Sequence, residues 1–393
     1  MNFHNLNKKL VWLFSLVVLA VAIQGCGSKS STSSKGASGG KTLSSSKSAK
    51  PSITSGLKGL FFKPTTDDPT IFNGEIVAVS RKGWSQPTPF GMVLVPSGSY
   101  LMGQGDEDPS RTSVNLPRRV TVSAFFMDDT EITNYEYRQF VEALLKDSLS
   151  VLGQTKIMSD YYPDTTRWAE DFRVPGKDFE KQNFTYADPM VEHYFSSPAF
   201  DMYPVVGINW AAAKYFCEWR SNLLNSYRKT QGLANLPKFA LPTESEWEWA
   251  ARGGRASAKY PWGNPYLANA KGCLLANFKP HRGNYDADGY EYTAPANAYS
   301  PNDYGLYNMA GNVAEWCLDA FEENSAAVNW DLNSYNSGSK LNENGLKVVR
   351  GGSWKDIGYY LETGTRSSEY EKNKRAYVGF RCVMRYLGRP ASR

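Results

Sequence analysis

The apolar positions of TNYEYRQFVEALLKDSL fall on a helical period. Tyr137, Phe140, Val141 and Leu144 stand at i, i+3, i+4 and i+7, one face of a helix. Thr133 and Glu136 ahead of them form a capping-box pair, in which a hydroxyl and a carboxylate satisfy the first free backbone amides. NWAAAKYFCEWRSNLL predicts a second helix, capped by Asn209. PTESEWEWAARGG predicts a third, with another capping box at Thr243 and Glu246 and a stop at Gly253-Gly254. Elsewhere the period shortens to two. EIVAVS, Glu75 to Ser80, alternates like a short strand, and GMVLVPSG, RRVTVSAFFM and KVVRGGSW are strand-like. No internal repeat is visible. Few helices, short strands and many turns predict a mixed α+β fold with little regular structure.

The first apolar run has a different meaning. LVWLFSLVVLAVAI, Leu10 to Ile23, follows Lys8 and Lys9, has the length of a signal-peptide core and is short for a bilayer span. IQGC then places the small Gly25 before Cys26. That order resembles bacterial lipoprotein leaders and implies residues 1–25 as the leader, with Cys26 lipidated after cleavage. Several acyl chains hold a protein stably on a membrane. Gly27 follows the cysteine and no acidic residue precedes Asp67, which by resemblance to sorting patterns implies the outer membrane, on its periplasmic face. Residues 26–50 read as a tether. Gly27 to Lys50 holds ten Ser, five Lys and one large apolar residue, too little to bury, and reaches roughly 25–30 Å as a coil.

The tether changes the reading of the charge. The chain of 393 residues carries +5, but residues 1–50 hold seven Lys and no acid. The remaining 37 basic and 39 acidic residues balance to about −2, which argues against a nucleic-acid surface. With 14% aromatic residues, 33 Gly and 21 Pro, the rest suits a compact fold with much ordered loop. Cys217, Cys273, Cys317 and Cys382 permit two disulfides in an exported chain, with three pairings open. The histidines are His4, His193 and His281, too few for a His-rich zinc or iron centre.

Eight blocks then fall in a recognisable order: GMVLVPSGSYLMG (91–103), VTVSAFFMDDTEITNYEYRQFV (120–141), YPVVGINWAAAKYFCEW (203–219), LPTESEWEWAARGG (241–254), YPWGN (260–264), NDYGLYNMAGNVAEW (302–316), RGGSW (350–354) and GFRC (379–382). Together they resemble the formylglycine-generating enzyme, or sulfatase-modifying factor, family over about 91–385. The resemblance implies an α+β fold similar to C-type lectins. It also implies a copper-assisted oxidation carried by two cysteines shortly after GGS. Here those positions read Asp356 and Leu361, neither of which replaces a thiolate at a Cu(I) site, so no copper and no enzyme activity are expected. Cys217 and Cys382 match two positions that pair as a disulfide in the family.

The resemblance further implies two structural calcium sites. One uses Asn308 and Glu315 with the Gly311 and Val313 carbonyls, and the other Asn277 and Asp288 with the Phe278 and Tyr290 carbonyls. NYDADG alone fails as an EF-hand loop, because its twelfth position is Pro295. Arg350, Arg366 and Arg381 lie near the old catalytic end, where they either bind an anionic ligand or pair with core acids.

The leader, the thiol-free domain and RKGWSQPTPFGMVLVPSGSYLMGQGDED also resemble the GldK/PorK type of gliding-motility lipoprotein in Bacteroidota. That type implies a structural ring subunit of the type IX secretion apparatus, contacting copies of itself and a GldN/PorN-type periplasmic protein. The N-terminal extension 51–90 and an insertion at about 146–202, whose DYYPDTTRWAEDF and VEHYFSS read as exposed aromatic anchors, are expected to carry those contacts. The other readings are an enzyme of altered chemistry in the cleft after Gly351 and a lectin-like binding module.

Overall fold

A computed structural model of the chain describes residues 86–104, 116–148, 150–171, 189–280, 284, 286–338 and 345–388. Cys26, the tether and the EIVAVS strand lie outside the described residues.

The three expected helices form where their caps place them. In α1, Asn134–Asp147, the Thr133 side chain accepts from the Glu136 amide while Glu136 accepts from the Thr133 amide at 2.9 Å. Tyr137, Phe140 and Val141 are its buried face and Leu144 packs at the margin. Short helices α2 (Val151–Tyr161), α3 (Arg167–Glu170) and α4 (Pro189–His193) follow in the insertion. Next, α5, Trp210–Thr230, starts on the Asn209 cap and buries Ala212, Ala213, Phe216 and Cys217. Helix α6, Glu244–Ala251, is buried on every side and ends before Gly253 and Gly254, both at positive φ. A last short helix, α7, spans Ser325–Val328.

The strands are β1 (Met92–Val95), β2 (Gly98–Met102), β3 (Arg118–Val122), β4 (Phe125–Asp128), β5 (Phe239–Ala240), β6 (Ala314–Ala320), β7 (Leu346–Arg350), β8 (Ser367–Tyr370), β9 (Val378–Gly379) and β10 (Val383–Arg385). They form sheets ordered β1-β4-β10-β5, β2-β3 and β8-β7-β6-β9, antiparallel except for the β6–β9 pair. RRVTVSAFFM is thus two strands in two sheets. The Ser123 amide leaves the ladder to bond Asn333 Oδ1 at 2.8 Å, and the chain turns there.

One core joins α1 and α5 to the first and third sheets through Phe126, Tyr137, Phe140, Phe216, Trp316 and Phe380. Tyr137 stacks on Phe216 with ring centroids 5.7 Å apart. Each such ring contributes on the order of 1.5–3 kcal/mol by leaving water. A second core lies between the β2-β3 sheet and α6, around Tyr100, Val120, Trp247 and Trp249.

The insertion departs from expectation. Trp168, Tyr194 and Phe195, read as exposed anchors, are buried. Trp168 meets Tyr194 edge-on and stacks with Trp354, so the insertion packs onto its own domain. What it exposes is α2, which buries none of its residues and leaves Val151 and Leu152 more than 80% accessible.

Candidate functional site

The segment after β7 turns through Gly351 and Gly352 into the region where the family's thiol pair is expected. Asp356 Oδ2 accepts from the Ser353 amide at 3.0 Å and from its hydroxyl at 2.6 Å, closing the turn. Leu361 lies fully buried beside Tyr260, Phe278 and Ala310. These two positions therefore serve a turn and a core. A pocket of about 210 Å3 opens above, lined by Lys355, Asp356, Tyr360, Ser367, Glu369 and Tyr377. Lys355 Nζ sits 3.3 Å from the Tyr377 ring centroid, and burial lowers its pKa. The pocket offers an amine, carboxylates and hydroxyls, with no sulfur to hold Cu(I) or pass electrons to oxygen.

All three arginines pair with core acids, the second of the two roles their position allowed. Arg350 is buried between Glu248 and Glu244. Arg366 holds Glu244 through Nε at 2.5 Å and Nη2 at 3.0 Å. Burial works against the charge on Glu244, but Arg366 and Arg350 outweigh it and hold the carboxyl below its usual range. Arg381 reaches Glu315 from Nε at 2.8 Å and Nη2 at 2.7 Å, and Trp247 Nε1 donates to the same carboxylate at 2.8 Å.

Those contacts give Glu315 a role in the core as well. Its carboxylate is the counter-ion of a buried guanidinium and takes three donor groups. The rest of the set looks different. Asn308 is buried and strained at φ 49, and its Oδ1 has no hydrogen-bond partner. Gly311 stands so close to Asn277 that a Cβ would lie 2.3 Å from its carbonyl oxygen. The two expected cation loops therefore touch.

The Asn277 set fits a hard cation. Asn277 Oδ1 is a second buried oxygen without a partner, while its Nδ2 is fixed on the Tyr292 carbonyl at 2.7 Å. Asp288 accepts from the Phe278 amide at 2.8 Å and the Tyr290 amide at 3.2 Å, which places both of those residues beside its carboxylate. No basic side chain among the described residues pairs with Asp288, and burial raises its carboxyl above the usual range. An orphaned amide oxygen and an uncompensated carboxylate match the all-oxygen ligation of calcium. No cluster of three His, Cys, Asp or Glu side chains forms a candidate metal site among the described residues, so any ion here relies on amide and backbone oxygens.

Cys217 on α5 and Cys382 before β10 lie with their sulfurs 3.4 Å apart, both buried. Cys273 is exposed and Cys317 is buried in β6, and neither forms a disulfide among the described residues. Sequence reading missed Glu131, Asn312 and Glu248. Glu131 looks like a surface acid ahead of a helix, yet it is fully buried between Asn308 Nδ2 at 3.2 Å and Asn312 Nδ2 at 2.9 Å.

Residues 81–386 match the sulfatase-modifying factor enzyme 1-like domain. The inactive C-alpha-formylglycine-generating enzyme 2 of Bos taurus is 29% identical over 314 residues, 76% of this chain and 89% of that protein. The formylglycine-generating enzyme of Thermomonospora curvata is 30% identical over 320 residues, 75% of this chain and 93% of its own. PvdO from Pseudomonas aeruginosa shares the fold, with a TM-score of 0.51 at 22% identity over 75% of this chain and 93% of PvdO. With the matched domain spanning the described sheets and helices from β1 to β10, this chain belongs to the sulfatase-modifying factor family.

Proposed function

We propose that the protein is a non-catalytic member of this family, lipidated at Cys26 and held on the periplasmic face of the outer membrane. There it acts as a structural ring subunit of a type IX secretion or gliding apparatus. The observation that carries this reading is an intact scaffold whose thiol positions, Asp356 and Leu361, have become a turn and a core contact. Similarity to a mammalian relative named inactive supports the non-catalytic part. The lipoprotein-like leader supports the placement. Its partners are copies of itself and a GldN/PorN-type periplasmic protein. Residues 51–90 and the exposed Val151, Leu152 and Met158 of α2 are the assembly surface we assign. Calcium at Asn277, Phe278, Asp288 and Tyr290, and at Asn308, Gly311, Val313 and Glu315, serves as a structural clamp on loops that lack ladder hydrogen bonds.

Mild-detergent capture of the lipidated protein from its own envelope is expected to yield ring particles by negative stain, with one dominant periplasmic partner by mass spectrometry. A solitary monomer overturns the ring. Charged substitutions at Val151 and Leu152 are expected to leave the monomer folded and reduce rings; unchanged rings would remove α2 from the interface. Turnover of a cysteine peptide or thiol by the purified domain would favour the altered-enzyme reading and direct attention to the Lys355 pocket.

A further inference from the structure

Asn277 and Asn308 present the two orphaned amide oxygens described above, and each is aimed by what its Nδ2 holds. Asn308 Nδ2 donates to Glu131 Oε2 at 3.2 Å and to the Ala296 carbonyl at 3.0 Å, which turns Oδ1 the other way. Asn277 Nδ2 donates to Tyr292 and, at 3.3 Å, to Asn312 Oδ1. Asn312 in turn donates from its own Nδ2 to Glu131 Oε1 at 2.9 Å and accepts from the Ala294 amide at 2.8 Å. One carboxylate therefore stands behind both oxygens, directly for Asn308 and through one amide for Asn277.

The charge arrangement singles out the same residue. Glu315 is hydrogen-bonded to Arg381, whereas Glu131 accepts its side-chain hydrogen bonds from neutral amides, and burial raises its carboxyl against the weaker pull of Arg381. An acceptor behind a metal ligand fixes its orientation and raises its basicity.

We infer that Glu131 is a positioning residue for cation binding, orienting Asn308 directly and Asn277 through Asn312, so that both calcium loops share one buried carboxyl group. The inference rests on the calcium reading above and adds a residue that the family's ligand pattern leaves unassigned in this chain.

The test uses the full chain stripped with EGTA and titrated with terbium, whose luminescence is excited through nearby tyrosines, followed by competition with calcium. Glu131→Gln presents an amide where two amide donors need an acceptor. It is expected to weaken terbium and calcium binding about tenfold or more at both loops. Glu131→Asp is expected to restore part of that loss. Asp288→Asn is expected to weaken binding at the Asn277 loop alone. Asn312→Ser breaks the relay, with the Asn312 bonds to Ala294, and is expected to weaken the Asn277 step while sparing the Asn308 step, which keeps the idea testable if Glu131→Gln folds poorly. A merely structural Glu131 would lower thermal stability equally with and without calcium and leave the ion-dependent increment intact, and that result overturns the inference. Wild-type protein that binds neither ion overturns the calcium reading itself.

Discussion

Replacing Arg381 by leucine is expected to lower the unfolding free energy by roughly 3–5 kcal/mol, the cost of breaking a buried ion pair from one side. The guanidinium is fully buried and satisfies several groups at once. Nε and Nη2 hold Glu315, Nη2 also donates to the Tyr307 carbonyl at 2.9 Å, and Nη1 donates to the Asp128 carbonyl at 3.2 Å. Leucine would leave Glu315 with Trp247 as its remaining side-chain donor, and would remove the positive charge that partly offsets the burial pushing the Glu131 carboxyl up to about 8. Urea unfolding at neutral pH measures the change. A loss below about 1 kcal/mol would mean that water enters and solvates Glu315, and that the pair is not a keystone. The exposed Arg255–Asp303 pair, 2.7 Å apart, is the control, and Arg255→Leu is expected to leave the urea midpoint where it was.

The same guanidinium shows where sequence reading stops. GFRC placed Arg381 beside the old catalytic end, but nothing local tells whether an arginine faces a ligand or a core acid. Its partner Glu315 is 66 residues away in sequence, and the partners of Arg350 and Arg366 are 102 and 122 away. Such pairings depend on three sheets being assembled. Local chemistry was legible because it is written in adjacent residues. Both capping boxes, the Asn209 cap and the paired glycines after α6 form as expected. The aromatic insertion misled for a related reason. Trp168 and Tyr194 sit among charged and polar neighbours, so their segment looks exposed. They are buried because Trp354 and Tyr292, from distant segments, supply the other wall of a small core. The asparagine network is harder still to read, because an orphaned oxygen is a property of packing. Asn308 and Asn277 were identified by family position, while Glu131 becomes visible only once both amide nitrogens are seen to be held.

Protein isolated from an oxidising compartment is expected to carry a Cys217–Cys382 bond, and its loss to lower stability by roughly 3–5 kcal/mol. The sulfurs lie 3.4 Å apart across a sequence separation of 165, joining the middle of α5 to the segment that enters β10. Closing so long a loop restricts the unfolded chain far more than it alters the folded one. The consequence is concentrated where the domain closes on itself, since β10 lies between β4 and β5 and its arrival completes the first sheet. Both sulfurs are buried, so reductants reach this pair slowly in the native state. Peptide mapping without reductant should recover the linked pair. Dithiothreitol should lower the urea midpoint of the wild type and leave a Cys217→Ala, Cys382→Ala variant unmoved. Native-state alkylation should mark the exposed Cys273 and spare the buried Cys317. Full alkylation of Cys217 and Cys382 on unfolding in the absence of reductant would show them to be a packed thiol pair, and the closure of the first sheet would then rest on the Arg381–Glu315 pair and the aromatic core.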